Sequence, residues 1–300
     1  MLTFLLACSG SPEPTRTAPP PDQLIEASAP ILVRTTDWPS QFLVERIGGP
    51  LVLAECVLPE GEDPASWSPS GDLVAGLAEA DLIVTNGAGY SAWMATASLP
   101  SQRVVEAARG VELIELQGQT HSHGREGEHS HAGADPHTWS DPTGYVAQAL
   151  VVRDALVAAR PHQAMSFQKN AGELERKLNA LDAQLKAATA DLHQVQLAAS
   201  HPAFNYLARR YDLKITSFDL DPSTAPSAEQ VEDLQRWQDH REGAGILLWE
   251  SAPSEAAVAA LPSFRHVVLD PLEAGMPYDY LAQASQNAQI LANLVVEEAP

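Results

Sequence analysis

The chain has 300 residues, 45% of them hydrophobic, enough apolar side chain for one large core or two medium ones. Lys and Arg number 18 against 39 Asp and Glu, and the net charge of −21 repels a phosphate backbone, which argues against nucleic acid as a partner. Two cysteines, Cys8 and Cys56, can build neither a CxxC pair nor a four-cysteine zinc centre, so a metal site must use His and carboxylate.

Residues 1–8 read MLTFLLAC. The apolar stretch ending Leu5-Leu6-Ala7-Cys8 looks like a bacterial lipobox, in which cleavage before Cys8 leaves its thiol to be acylated. The mature chain is then expected to be lipid-anchored outside the cytoplasm, on the periplasmic or cell-surface side. Residues 9–29 are rich in Ser, Pro and Thr, cannot bury a core, and read as a tether. No other stretch approaches the ~20 apolar residues of a membrane span. Cys56, within the apolar run Leu51–Leu58, reads as a buried, unreactive thiol.

Strand-like runs follow in two groups. Ile31–Thr35, Leu82–Asn86 and Val111–Leu116 form the first, and Val195–Ser200, Ile246–Glu250 and Val267–Asp270 the second. Helical stretches alternate with them, which predicts α/β layers with parallel sheets. Between the groups, Thr143–Leu192 lacks strand signals and breaks once, at Arg160-Pro161. Apolar positions Phe167, Leu174, Leu178, Leu181, Leu185 and Leu192 recur mostly at three, four or seven, so Gln163–Leu192 reads as one amphipathic helix roughly 40 Å long. The division is an N-terminal α/β lobe over 30–160, a connecting helix over 161–193 and a C-terminal α/β lobe over 194–300. A helical connector is stiff, so a large hinge closure is not expected. Residues 117–134 carry His121, His123, His129 and His131 among Gly, Ser and Glu, and read as a His-rich loop.

Ligands of open α/β sheets collect beyond the carboxyl ends of strands. Three potential metal ligands lie there: His201 after Val195–Ser200, Asp270 at the end of Val267–Leu269, and His137 beyond Val111–Leu116. Glu250, ending another strand, could accept a hydrogen bond from a ligand histidine and fix its tautomer, or act as a general base beside a zinc-bound water. Gly87-Ala88-Gly89-Tyr90-Ser91-Ala92 fits the dinucleotide pattern G-x-G-x-x-A, but the rest of that fingerprint is poor. Neither H-E-x-x-H nor G-x-S-x-G occurs, so protease and serine-hydrolase signatures are absent from the sequence.

Several stretches occur together in one order: Pro59-Glu60-Gly61-Glu62-Asp63-Pro64, Ala80-Asp81-Leu82-Ile83-Val84 with Asn86-Gly87-Ala88-Gly89, and Asp135-Pro136-His137-Thr138-Trp139. His201-Pro202-Ala203-Phe204, Pro226-Ser227-Ala228, Glu250 and Leu269-Asp270-Pro271-Leu272 complete the set. With these the chain, over about residues 30–297, resembles the zinc and manganese solute-binding lipoproteins of bacterial ABC importers. The resemblance implies two lobes of parallel-sheet sandwich joined by one long rigid helix, metal held between them, a monomer, no enzymatic turnover, and delivery to an ABC permease. It makes His137 and His201 the second and third ligands and Asp270 the fourth. Where the family has its first ligand histidine this chain has Ala65, and Tyr90-Ser91 stand where the family has a glutamate. Water, Glu62, Asp63 or a histidine of the 117–134 segment would have to complete such a site. A histidine at position 201 goes with Zn²⁺ in that family and a glutamate with Mn²⁺, so Zn²⁺ is expected. The His121, His123, His129 and His131 cluster resembles the family's zinc-collecting insert. Two alternatives stay open: a zinc-water hydrolase with three protein ligands and Glu250 as base, and a degenerate paralogue binding a protein without metal.

Overall fold

Two four-stranded parallel sheets organise the chain, and a long helix is buried between the elements that cover them. The computed structural model describes residues 29–62, 66–116, 120–122, 128–130, 133–239, 245–274 and 278–294.

The N-terminal sheet starts with β1 (Ile31–Thr35). Next comes α1 (Trp38–Gly48), begun where the Asp37 carboxylate accepts the Ser40 N–H and Pro39 sits in the first turn. Then follow β2 (Val52–Cys56), α2 (Gly71–Leu77), the fully buried β3 (Leu82–Thr85) and β4 (Val104–Glu106), giving the order β2-β1-β3-β4.

The sequence expectation for the next strand fails. Of Val111–Leu116 only β5 (Glu115–Leu116) is a strand, and it lies outside the parallel sheet. The Ile114 N–H instead donates to Tyr206 Oη at 3.0 Å, drawing this segment toward the C-terminal half. The place beside β3 goes to Val104–Glu106, a run too short for periodicity to reveal. The segment read as an unstructured loop also contains strands: β6 (Thr120–Ser122) pairs antiparallel with β7 (Glu128–Ser130), His121 opposite His129, and β8 (Gly133–Ala134) pairs with β5. Polar strands carry no apolar alternation, so the sequence pattern is silent there. His123 and His131 lie outside the described residues, as do Cys8, Asp63 and Ala65.

The helical middle matches its pattern. Helix α3 (Pro142–Ala159) stops at Arg160-Pro161, and α4 (Ala164–Ala188) runs about 37 Å. It ends before Leu192, where the Thr189 hydroxyl donates to the Leu185 carbonyl. The C-terminal half then adds β9 (Gln196–Ala199), α5 (Asn205–Tyr211), β10 (Lys214–Ser217), α6 (Ala228–Gln238), β11 (Gly245–Trp249), α7 (Glu255–Ala260), β12 (Phe264–Val268) and α8 (Tyr280–Ala292). Its sheet has the order β10-β9-β11-β12. The edge strand β10, Lys-Ile-Thr-Ser, was not signalled by the sequence. Strand β12 starts and stops earlier than Val267–Asp270, which leaves Asp270 in the turn beyond it.

Phe167, Leu174, Leu178, Leu181 and Leu185 line the buried stripe of α4. They share one core with Ile31 and Val33 of the first sheet and Leu197 and Leu248 of the second. From Ile31 onward the described residues form one compact unit. No helix among the described residues is long and apolar enough to cross a membrane.

Candidate metal centre

The segments following the carboxyl ends of β1, β3, β9 and β11 meet the turns before α3 and after β12, and this meeting place holds the candidate donors. His137 belongs to a turn held from all sides. Asn86, directly after β3, donates through Nδ2 to the Pro136 carbonyl at 2.8 Å and accepts through Oδ1 from the Thr138 hydroxyl at 2.7 Å. Its own N–H donates to Asp37 at 2.8 Å, and Gln148 of α3 donates to Thr138. Trp139, fully buried, donates its indole N–H to the Pro271 carbonyl at 2.9 Å and so joins this turn to the one carrying Asp270 and Glu273.

Asp135 orients the His137 ring. Its Oδ1 accepts both the His137 backbone N–H at 2.9 Å and ring Nδ1 at 2.8 Å. A carboxylate only accepts, so the proton sits on Nδ1 and the Nε2 lone pair is free to coordinate. Asp135 is itself wholly buried and held from the C-terminal half: Asn205 Nδ2 donates to its Oδ2 at 2.8 Å, and the Tyr206 hydroxyl donates to its carbonyl at 2.9 Å. His137 is 5% exposed and His201 8%, and their ring centroids stand 5.5 Å apart at 79°. Two imidazoles bound to one tetrahedral ion would have centroids about 5 Å apart, given Zn–N bonds of about 2 Å.

Glu273 is the carboxylate beside His137, its Oε2 3.8 Å from Nε2. The Tyr90 hydroxyl donates to the same oxygen at 3.2 Å. Asp270 is occupied differently. Its Oδ1 accepts the Leu272 N–H at 2.7 Å, and Asn287 of α8 bonds its backbone in both directions. Burial raises its pKa, partly offset by the Leu272 hydrogen bond. Among the described residues, neither a hydrogen bond nor an ion pair joins Asp270 to either histidine. It shapes the turn, with Leu272 at φ +62°, from which Glu273 projects.

Glu250 follows β11, its N–H bonded to the Ser200 hydroxyl at 3.3 Å, and its charge reaches His137. Burial works against protonation of His137, but the Asp135 hydrogen bond and the charges of Asp135, Glu273 and Glu250 outweigh it, so the pKa is raised. Glu62 is exposed on the surface. Among the described residues no group of three His, Cys, Asp or Glu side chains stands close enough to enclose a metal ion; His201 and Glu273 each lie beside His137 without closing on a common point.

Sequence reasoning missed Asp135 and Glu273. The Asp-Pro-His spacing signalled the first, since an Asx residue two positions before a histidine can reach both its N–H and its ring. Nothing local distinguished Glu273 from Asp270. The dinucleotide pattern at Gly87–Ala92 fails on structure: Gly87, Ala88 and Gly89 all take positive φ, and a 3-10 turn, Ala92–Ala95, replaces the α-helix whose N-terminus would meet a pyrophosphate. A cavity of about 750 Å³ opens there, lined by Thr85, Met94, Leu99, Glu106 and Arg109 among others. Cys56, expected to be buried, is a half-buried free thiol whose pKa is pushed up to about 12 by burial and by Asp37, which disfavours its thiolate.

The profile of the family described as ZnuA, zinc-uptake complex component A periplasmic, matches residues 33–294. The zinc-binding lipoprotein AdcA of Streptococcus pneumoniae is 27% identical over 314 residues, covering 99% of this chain and 60% of the relative. The high-affinity zinc uptake system protein ZnuA of Bacillus subtilis is 27% identical over 236 residues, 75% of this chain and 72% of its own. The crystal structure of the Zn(II)-bound ZnuA-like domain of S. pneumoniae AdcA superposes with a TM-score of 0.76 at 24% identity, covering 88% of this chain and 98% of that domain, which establishes the two-lobed fold. The chain thus spans about 60% of the length of its AdcA relative.

Proposed function

The chain belongs to the ZnuA family of periplasmic zinc-uptake components, and on that footing we propose that it captures Zn²⁺ between its two sheets and hands it to the permease of an ABC importer. The observation that carries the reading is that an imidazole, His201, and a carboxylate, Glu273, each lie beside the His137 ring, the three side chains coming from separate turns. That donor set suits zinc better than manganese, which favours carboxylate-rich sites. We assign Glu273 in place of Asp270 as the carboxylate ligand, because Asp270 is engaged in shaping its own turn. Three protein donors leave one position of a tetrahedral ion to water. Zinc is cargo here, held without turnover. The hydrolase and metal-free alternatives are not favoured, since the AdcA and ZnuA relatives are named for zinc binding and zinc uptake.

The same reading places the protein outside the cytoplasm as a monomer, anchored through lipid on Cys8, with His121, His123, His129 and His131 gathering zinc at low affinity. The test is a competitive zinc titration of the purified chain against a chelator of known affinity. One tight equivalent is expected. His201→Ala and Glu273→Gln should weaken it steeply, whereas Asp270→Asn, which keeps an acceptor for the Leu272 N–H, should not. Absence of a tight equivalent in the unaltered chain would sink the capture reading, and a loss confined to Asp270→Asn would return the carboxylate ligand to Asp270.

A further inference from the structure

Tyr90 comes from the N-terminal sheet, just beyond the turn that ends β3, and Glu273 from the turn beyond β12, yet the phenol hydroxyl and the carboxylate Oε2 are 3.2 Å apart. The oxygen that Tyr90 holds is the one facing His137 Nε2 at 3.8 Å. The phenol donates, since an ionised carboxylate only accepts, and a hydrogen bond to a charged acceptor is of the stronger kind. Its ring has little freedom: it is 4% exposed, tilts against Trp139 at 4.7 Å and meets the His137 ring edge at 6.2 Å. Glu273 by contrast is 28% exposed at its side chain and has rotors to lose when it takes a ligand.

We propose that Tyr90 is a positioning residue for metal capture, fixing the Glu273 carboxylate in one orientation toward His137 before the ion arrives. The inference rests on the zinc-capture reading above. Preorganisation of this kind raises affinity because the ordering entropy of the ligand is already spent in the metal-free protein. It also makes one ligand of the C-terminal half depend on a side chain of the N-terminal half, so the two sides of the cleft act on the ion together.

The experiment is a double-mutant cycle in zinc affinity on the full chain: unaltered, Tyr90→Phe, Glu273→Gln and both. Tyr90→Phe keeps the ring and removes the hydroxyl, and should weaken zinc binding about tenfold, the loss of one charge-assisted hydrogen bond. In the Glu273→Gln background the same change should weaken binding less than threefold. A purely structural role would weaken both backgrounds alike, and that result overturns the proposal. So does a Tyr90→Phe protein that binds as tightly as the unaltered chain, or more tightly, which would mean that the hydroxyl competes with metal for the carboxylate. If the unaltered chain binds no zinc, the capture reading fails first and the role of Tyr90 falls with it.

Discussion

Asp135 and His137 share a hydrogen bond of 2.8 Å between Oδ1 and Nδ1, and Asp135 has no exposure to water. The ring of His137 is therefore set in one tautomer and one orientation by a carboxylate that is anchored from the other half of the molecule through Asn205 and Tyr206.

Asp135→Asn separates geometry from charge. The amide oxygen can still face Nδ1, but its NH₂ group then opposes the Asn205 NH₂, and the negative charge is gone. Zinc affinity is expected to fall roughly 10- to 100-fold. Folding stability should drop by about 1–3 kcal/mol, because a buried donor loses its acceptor. Chelator competition and urea unfolding measure the two effects, and unchanged zinc affinity would remove Asp135 from the site.

Zinc capture should weaken on acidification earlier than an ordinary histidine site. Metal needs neutral imidazole, and His137 holds its proton above the usual histidine value. The fall in affinity should therefore begin above a pH of about 6.5 and steepen toward about one log unit per pH unit for each histidine that titrates. In the metal-free protein the same raised pKa favours folding below the ordinary value, and this contribution fades as pH rises through the folded-state pKa. A zinc titration series from about pH 8 to pH 5.5 tests the first statement, and a flat profile would contradict it.

Asp182 of α4 pairs bidentately with Arg210 at the end of α5, Nε and Nη2 each 2.8 Å from one carboxylate oxygen, and the Tyr211 hydroxyl adds a third bond at 3.0 Å. The Arg210 hydrogen bond holds Asp182 below the usual carboxylate range. Its stabilisation is present above about pH 4 and lost as pH falls through the lowered value. Arg210 is more than a third exposed, so solvent screening limits the pair to about 1 kcal/mol. Asp182→Asn should lower the thermal midpoint by a few degrees at neutral pH, with the difference closing below pH 4; a difference that persists in acid would point to packing.

Leu178 is fully buried at the middle of α4, in the core common to both sheets. Leu178→Ala should destabilise the protein by about 2–5 kcal/mol. Because one core serves both halves, unfolding should remain a single transition in urea followed by fluorescence and circular dichroism. Two separated transitions would show that the halves fold independently.

Removal of residues 117–132 should leave one tight zinc equivalent, since none of His137, His201 and Glu273 lies in that segment. Loss of any weaker equivalents on the same titration would assign them to the His121–His131 histidines. Loss of the tight one would move the principal site into the segment.

Much of the fold was legible in the chain because its signals are local. The runs Ile31–Thr35 and Ile246–Trp249, and the three- and four-residue spacing from Phe167 to Leu185, each report a period that a strand or helix must have. Val104–Glu106 and Lys214–Ser217 escaped because three or four residues at a sheet edge carry no resolvable period. Val111–Leu116 misled because its apolar run looked strand-like, while the Ile114 N–H bonded to Tyr206 and only Glu115–Leu116 paired, with β8.

The α/β class, the break before Pro161 and the candidacy of His137 and His201 follow from local periodicity and from motif order. That Asp135 orients His137, that Glu273 approaches it while Asp270 shapes the turn, and that Tyr90 reaches Glu273 across 183 positions of sequence emerge from the three-dimensional packing alone. Those contacts depend on how two sheets pack against one helix. Between Asp270 and Glu273, both carboxylates in the same turn, the choice rests on which one the backbone turns toward the imidazole.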